Sequence, residues 1–275
     1  MNKIYCSTGV MVGRINNNDY TLITKHFPSL INKGLIQGGE FMFAHSFYDK
    51  LDYIYNEITK TNIKFDVMHF DKEIGIMLSE CDDTISEKAL ELLRINCEFA
   101  KRINAKKGVF HLWGGIKSDS HIDYNISFLP NIIAIFKQHD IELLIENIPC
   151  TTNSGLTIWE KINKDFPDVN FIFDTRFGAF HDEIKEIFNS PLWSQVKHIH
   201  ISDYSSFPKD FSKIRPILHP GEGVIDFDYV FKRLKELNYC RSFTLESPVF
   251  GENRPDIDKL ESTLSYINQK LKNHD

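Results

Sequence analysis

Eight short apolar runs, rich in β-branched and aromatic residues, recur near residues 3–8, 36–43, 63–69, 107–113, 141–147, 169–175, 196–202 and 242–247, with longer amphipathic stretches between them. Strand and helix signals in alternation are the pattern of βα units and a parallel sheet. Eight strands close such a sheet into a barrel. A chain of 275 residues suits one barrel of about 250 residues with little left over. The expected architecture is therefore α/β, a (β/α)8 TIM barrel forming a single domain over residues 1–275, since no linker or composition change marks a second one.

The intervening stretches carry helix signals. In TISEKALELLRINCEFAKRINA, Thr84 and Glu87 have the spacing of a capping box ahead of Ala89, Leu92, Leu93, Ala100 and Ile103. Phe227, Val230, Phe231, Leu234 and Leu237 repeat an apolar face behind Asp226, and Ile257, Leu260, Leu264, Ile267 and Leu271 repeat it behind Pro255. Both are expected in an outer ring of helices. The balance of 42% hydrophobic and 25% charged residues is that of an ordinary globular chain. No stretch approaches the ~20 apolar residues of a bilayer span, and the first residues lack a secretory signal. Cys6, Cys81, Cys97, Cys150 and Cys240 are odd in number and show no CxxC spacing, which favours a reducing, cytoplasmic setting over a disulfide framework or zinc ribbon. The 32 Lys and Arg against 38 Asp and Glu give a formal charge of −6, so nucleic acid is a disfavoured partner.

Side chains two apart on a strand face the same way, which makes strand ends readable. Leu144 and Glu146 share a face in IELLIENIP, Ile172 and Asp174 in VNFIFDT, and Thr244 and Glu246 in SFTLES. In VKHIHISDY, His198 and His200 share one, with His200 nearer the mouth. Four consecutive strands thus deliver Glu146, Asp174, His200 and Glu246 to the C-terminal rim, where barrels of this kind build active sites. Three carboxylates crowded there would raise one another's pKa and cost stability, whereas a divalent cation turns the crowding into coordination. The set implies one divalent metal ion; three oxygen donors and an imidazole suit Mn2+, Mg2+ or Co2+ and admit Zn2+. Taken singly, a strand-end Glu is more often a capping or surface group and a lone His a hydrogen-bonded core residue. The joint placement carries the reading.

Further residues are candidates for binding a substrate at the same rim. His69 and His111 follow the inward-facing Val67 and Val109, and Trp113 in HLWGG offers an aromatic wall beside two glycines. Glu40 in QGGEFMF faces the mouth from the second run, His198 lies below His200, and Arg215 and Arg176 are the nearest cations for a phosphate or carboxylate. Each also has an ordinary structural explanation: a core histidine, a buried tryptophan, a salt-bridged glutamate, a surface arginine.

The motifs IEN, FDT, HIHISD, HPGEGVIDF and TLES at the fifth to eighth runs together resemble the xylose isomerase-like superfamily of sugar-phosphate isomerases and epimerases, which also contains endonuclease IV. The resemblance covers nearly the whole chain. It implies that Glu146, Asp174, His200 and Glu246 are metal ligands, as in the D-tagatose 3-epimerase branch, and that Glu146 and Glu246 are also the acid/base groups. Some positions depart from the pattern. Phe177 stands where the family often has a histidine, with His181 one helical turn further on, and Thr152 stands where the epimerase branch has a glutamate. Arg215 and Ile217 occupy the places of an Asp-x-His ligand pair of endonuclease IV, so its three-zinc cluster is not matched, although His69 and His111 resemble two of its ligands.

The expected activity is isomerisation or epimerisation of a small-molecule sugar or sugar phosphate through an enediolate. The alternatives are a metal-dependent lyase of the dehydroshikimate dehydratase type, an endonuclease IV-like phosphodiesterase, and a non-catalytic sugar-binding barrel. No membrane association is expected, and a homodimer is compatible with the sequence.

Overall fold

The computed structural model describes residues 2–114, 118–251 and 254–272. Its strands are β1 (Lys3–Ser7), β2 (Gly38–Met42), β3 (Val67–His69), β4 (Lys107–Phe110), β5 (Glu142–Glu146), β6 (Asn170–Asp174), β7 (Val196–Ile201) and β8 (Ser242–Leu245). They follow sequence order around a closed barrel, and β8 pairs with β1 in parallel through Tyr5 opposite Thr244. The eightfold alternation in the sequence is thus a single (β/α)8 barrel. Several strands are shorter than the apolar runs. Lys64 meets β2 through its carbonyl, which accepts the Gly39 N–H at 2.8 Å, and the regular β2–β3 ladder begins with Glu40 opposite Val67. Glu246 lies one residue past β8 and His111 one residue past β4.

Period-two alternation divides the strand residues between two environments. Ile4, Phe41, Met68, Phe110, Ile145, Phe173, Ile199 and Phe243 point outward into the main core beneath the helices. Tyr5, Val67, Val109, Leu144 and Ile172 form a separate apolar group inside the barrel. Burying each such side chain is worth about 1.5–3 kcal/mol, so this plug fixes the floor on which the polar residues above it stand. No helix among the described residues is long and apolar enough to cross a membrane.

The long helix Asp83–Arg102 buries Ala89, Leu90, Leu93, Cys97, Phe99 and Ala100, but its cap differs from the expected Thr84–Glu87 box. Asp82 is the N-cap and accepts the Ile85 N–H at 2.9 Å. An aspartate two positions earlier outcompetes the threonine because its carboxylate also complements the positive end of the helix dipole. Asp226 caps helix Phe227–Glu236 through the Tyr229 N–H, as its position before the apolar face predicts. Asp256 accepts the Lys259 N–H at 3.0 Å at the start of helix Ile257–Lys272.

Candidate metal centre

Glu146 and Asp174 are the last residues of β5 and β6. His200 stands on β7 opposite both Asp174 and Thr244, and Glu246 emerges just beyond β8. One donor atom from each of the four lies within 4.8 Å of the others, and all four residues are buried. His200 Nδ1 is 2.9 Å from Glu146 Oε1 and 3.5 Å from Glu246 Oε2. Asp174 has two tasks. Its Oδ1 caps helix Thr175–His181 by accepting the Phe177 N–H at 3.0 Å, which leaves Oδ2 turned toward the cluster.

The ionisation of the group follows from crowding. Burial raises the Asp174 pKa, Arg176 opposes this, and the charges of Glu146 and Glu246 add to it, so the carboxyl is pushed up to about 6. Burial acts in the same direction on Glu146, but His111 and His200 outweigh it and hold that carboxyl well below its usual range. For His200, burial favours the neutral ring, yet Glu246, Glu40 and Glu146 together carry its pKa well above the ordinary histidine value. A proton on His200 thus does part of what a cation would do. Asp174 Oδ2 and Glu246 Oε1 are buried and have no hydrogen-bond partner. Buried carboxylate oxygens left without a donor are costly. Two of them, converging with an imidazole and a third carboxylate, fit a divalent cation.

His69 and His111 join the same centre from the other side, forming with Glu146 a second group of three possible ligands. His111 Nε2 is 2.5 Å from Glu146 Oε2, and His69 Nε2 is 3.5 Å from it. His69 Nδ1 donates to the Phe70 carbonyl at 2.9 Å, which leaves the buried Nε2 as the lone-pair nitrogen, without a partner. Burial pushes the His111 pKa down to about 3 despite Glu146, and its Nε2–H donates to that carboxylate.

Glu40 and His198 are brought against His200, with which they form a further group of three possible metal ligands. Both are fully enclosed. Glu40 accepts from His200 Nε2 at 2.9 and 3.1 Å and from Thr244 Oγ1 at 2.7 Å, and it lies 3.0 Å from His198 Nε2. His198 Nδ1 meets Ser242 Oγ at 2.7 Å. Burial raises the Glu40 pKa, but His200 and His198 hold the carboxyl far below its normal range. Glu40 thereby engages the Nε2 side of the His200 ring.

Other candidates stand apart from the cluster. Trp113 is completely enclosed in the core, so it is no open wall, and its neighbour Gly115 lies outside the described residues. Arg215 is exposed on the connection after β7, and no hydrogen bond or ion pair among the described residues ties it to the centre. Arg176 is buried, donates to Ser202 Oγ and the Ile214 carbonyl, and approaches Asp174 Oδ2 at 3.8 Å. His181, one turn beyond Phe177, accepts the Cys150 N–H on Nε2 at 3.0 Å, while its buried Nδ1 has no hydrogen-bond partner among the described residues. His219 is held by Thr263 Oγ1 and the Pro248 carbonyl. Asp203 of the HIHISD motif was not singled out by its sequence position, yet it organises HPGEG by accepting the N–H groups of Gly221, Gly223 and Ile225. A Cβ on Gly223 would sit 2.1 Å from the Tyr204 carbonyl oxygen, so only glycine permits that approach.

The family model described as "Xylose isomerase-like TIM barrel" matches residues 36–269. An uncharacterized protein of Methanocaldococcus jannaschii is 24% identical over 207 residues, which is 69% of this chain and 67% of that protein. Among solved structures, a D-tagatose 3-epimerase-like protein superposes with a TM-score of 0.69 at 19% identity, covering 98% of this chain and 99% of the other. The D-allulose 3-epimerase of Methylomonas sp. gives a TM-score of 0.72 at 15% identity, covering 98% of each chain. At these identities the two superpositions establish a common fold.

Proposed function

The chain belongs to the xylose isomerase-like TIM barrel family, and from that premise we propose that it is a divalent-metal-dependent isomerase or epimerase of sugars or sugar phosphates. The observation that carries this reading is the quartet Glu146, Asp174, His200 and Glu246, with two buried carboxylate oxygens that no protein donor satisfies. The epimerase names of structural neighbours support the sugar class. A bound divalent ion would polarise a carbonyl and its neighbouring hydroxyl and stabilise the charge of an enediolate. The chain's own residues supply the rest. Glu246, just beyond β8, would take the proton from the carbon between those oxygens on the carboxylate oxygen that the ion leaves free. Glu146, at the end of β5 with its carboxyl held well below the usual range, would be the strong acid of the pair and return a proton readily. Return to the opposite face of the same carbon gives an epimer; return to the neighbouring carbon gives an isomer.

Turnover in heavy water tests this. Metal-loaded protein, offered a panel of ketoses, aldoses and their phosphates, should introduce deuterium beside the carbonyl of at least one substrate, and chelation should stop it. An unsaturated, water-depleted product would instead assign a lyase. Absence of exchange with every sugar would overturn the reading in favour of a binding protein.

A second reading has its own observation. His69 and His111 share Glu146 with the main quartet, and two ions on one carboxylate would suit phosphoester hydrolysis. His219 has both ring nitrogens engaged, by Thr263 Oγ1 and the Pro248 carbonyl, which weighs against a larger cluster of the endonuclease IV kind. Metal stoichiometry and incision of abasic-site DNA by the pure protein decide between the two: one ion and intact DNA are expected.

A further inference from the structure

A second site, with polar groups set among Val12, Met42, Ala44 and Phe47, lies at the same face of the barrel, over the ends of β1 and β2. It is a cavity of about 210 Å3 whose lining includes Thr8, Arg14, Asn18, Tyr20, His45 and Ser46. No carboxylate lines it. Arg14 is exposed, and its guanidinium has no hydrogen bond or ion pair among the described residues. Tyr20 is buried, stacks on Phe41, and has a hydroxyl without a partner.

His45 is held from behind. Its Nδ1 lies 2.8 Å from Asp71 Oδ2, and the side chain is 54% exposed while that of Asp71 is only 2% exposed. Asp71 is itself fixed by the Tyr48 hydroxyl at 2.9 Å and the Glu73 N–H at 3.1 Å, and Asn96 bonds both Tyr48 and the Asp71 N–H. A buried carboxylate anchoring an exposed imidazole sets the ring's orientation and leaves Nε2 for a ligand. Unpaired guanidinium, anchored imidazole, hydroxyls and an orphaned phenol are donors that match the several oxygens of a phosphate.

We propose that this cavity is a phosphate subsite, which holds the phosphorylated end of a sugar whose reacting carbons lie at the metal centre. The cavity lies over the ends of β1 and β2 and the centre over those of β5 to β8, with β1 adjoining β8, so both lie at the same end of the barrel. The proposal rests on the sugar reading above and narrows it to sugar phosphates.

The test begins with inorganic phosphate titrated into metal-loaded protein, followed through the imidazole resonances of His45 and by calorimetry. Saturable binding is expected, weakened about tenfold or more by Arg14→Gln and by His45→Gln. No saturable binding, or binding unchanged in both variants as for phosphate on the metal, overturns the subsite. The second arm uses a matched neutral and phosphorylated ketose in the exchange assay. Arg14→Gln should raise KM for the phosphorylated sugar about tenfold more than for the neutral one, and an equal effect on both overturns the proposal. Arg14-dependent phosphate binding without exchange on any sugar would sink the isomerase reading and leave the subsite standing.

Discussion

His200 points its two ring nitrogens at different carboxylates: Nε2 lies 2.9 Å from Glu40 Oε1, and Nδ1 lies 2.9 Å from Glu146 Oε1. The Nε2–H is therefore spent on Glu40, and Nδ1 is the nitrogen left for a metal. Losing such an outer carboxylate typically costs about 10–100-fold in metal affinity. Glu40→Ala should weaken binding by that order in a metal titration. It should also destabilise the fold by about 1–3 kcal/mol, because His198 and Thr244 lose a buried partner. Glu40→Gln keeps an acceptor for Nε2–H and should recover most of the affinity. Equal affinity in wild type and Glu40→Ala would refute the orienting role.

The four rim residues were legible because strand alternation and the C-terminal rim fix where a strand-end side chain goes. The same rule placed Val67 and Val109 inside the barrel. Partners were not legible: alternation puts Glu40 and Glu146 on inward faces alike, but only closure of the barrel brings Glu40 against His198, His200 and Thr244, and Glu146 against His111 and His200. Loop chemistry was still less accessible. Asp203 and Asp71 act on backbone or side chains brought close only by the closed barrel, and His45 acquires meaning only once Asp71 is seen behind it.

Asp174 bears the cost of a buried charge in the metal-free centre: burial first, then the charges of Glu146 and Glu246, push its pKa up to about 6. Asp174→Asn keeps an oxygen to accept the Phe177 N–H and removes the charge. In metal-free protein at neutral pH it should be more stable than wild type by roughly 2 kcal/mol, from a shift of this order. It should also lose the stabilisation that added metal gives to wild type. Thermal denaturation with and without chelator reads both effects. A metal-free variant less stable than wild type would mean that the carboxylates are not in conflict.

His181 sets a pH dependence of a different origin. Burial, reinforced by Lys209, lowers its pKa from 6.5 to about 4, with Asp119 opposing. The unfolded chain therefore binds this proton more tightly than the folded one between those values, so stability is complete above about 6.5 and falls as pH drops toward 4. The loss should be on the order of 2 kcal/mol, after allowance for the ring's remaining contact with water. His181→Gln retains an acceptor for the Cys150 N–H without the titration, and its stability should be flatter over that window. An unchanged slope in the variant would assign the acid sensitivity elsewhere.

The two glutamates of the centre should not be equivalent. Glu146 is enclosed by His111, His69 and His200, with its carboxyl held well below the usual range, so it is a strong ligand and a weak base. Glu246 has an oxygen without a partner and sits where β8 opens to the mouth. Glu246→Gln preserves size and one carbonyl donor while removing basicity. It should lower metal-dependent deuterium exchange by about 10²–10⁴-fold, mainly in kcat, with much of the bound metal retained. Glu146→Gln should instead act first on metal occupancy, since it removes the charge that His111 and His200 face. Measuring bound metal and exchange on the same samples separates the cases: exchange lost in proportion to metal in both variants would make both residues ligands alone and leave the proton's acceptor to be sought elsewhere at the rim.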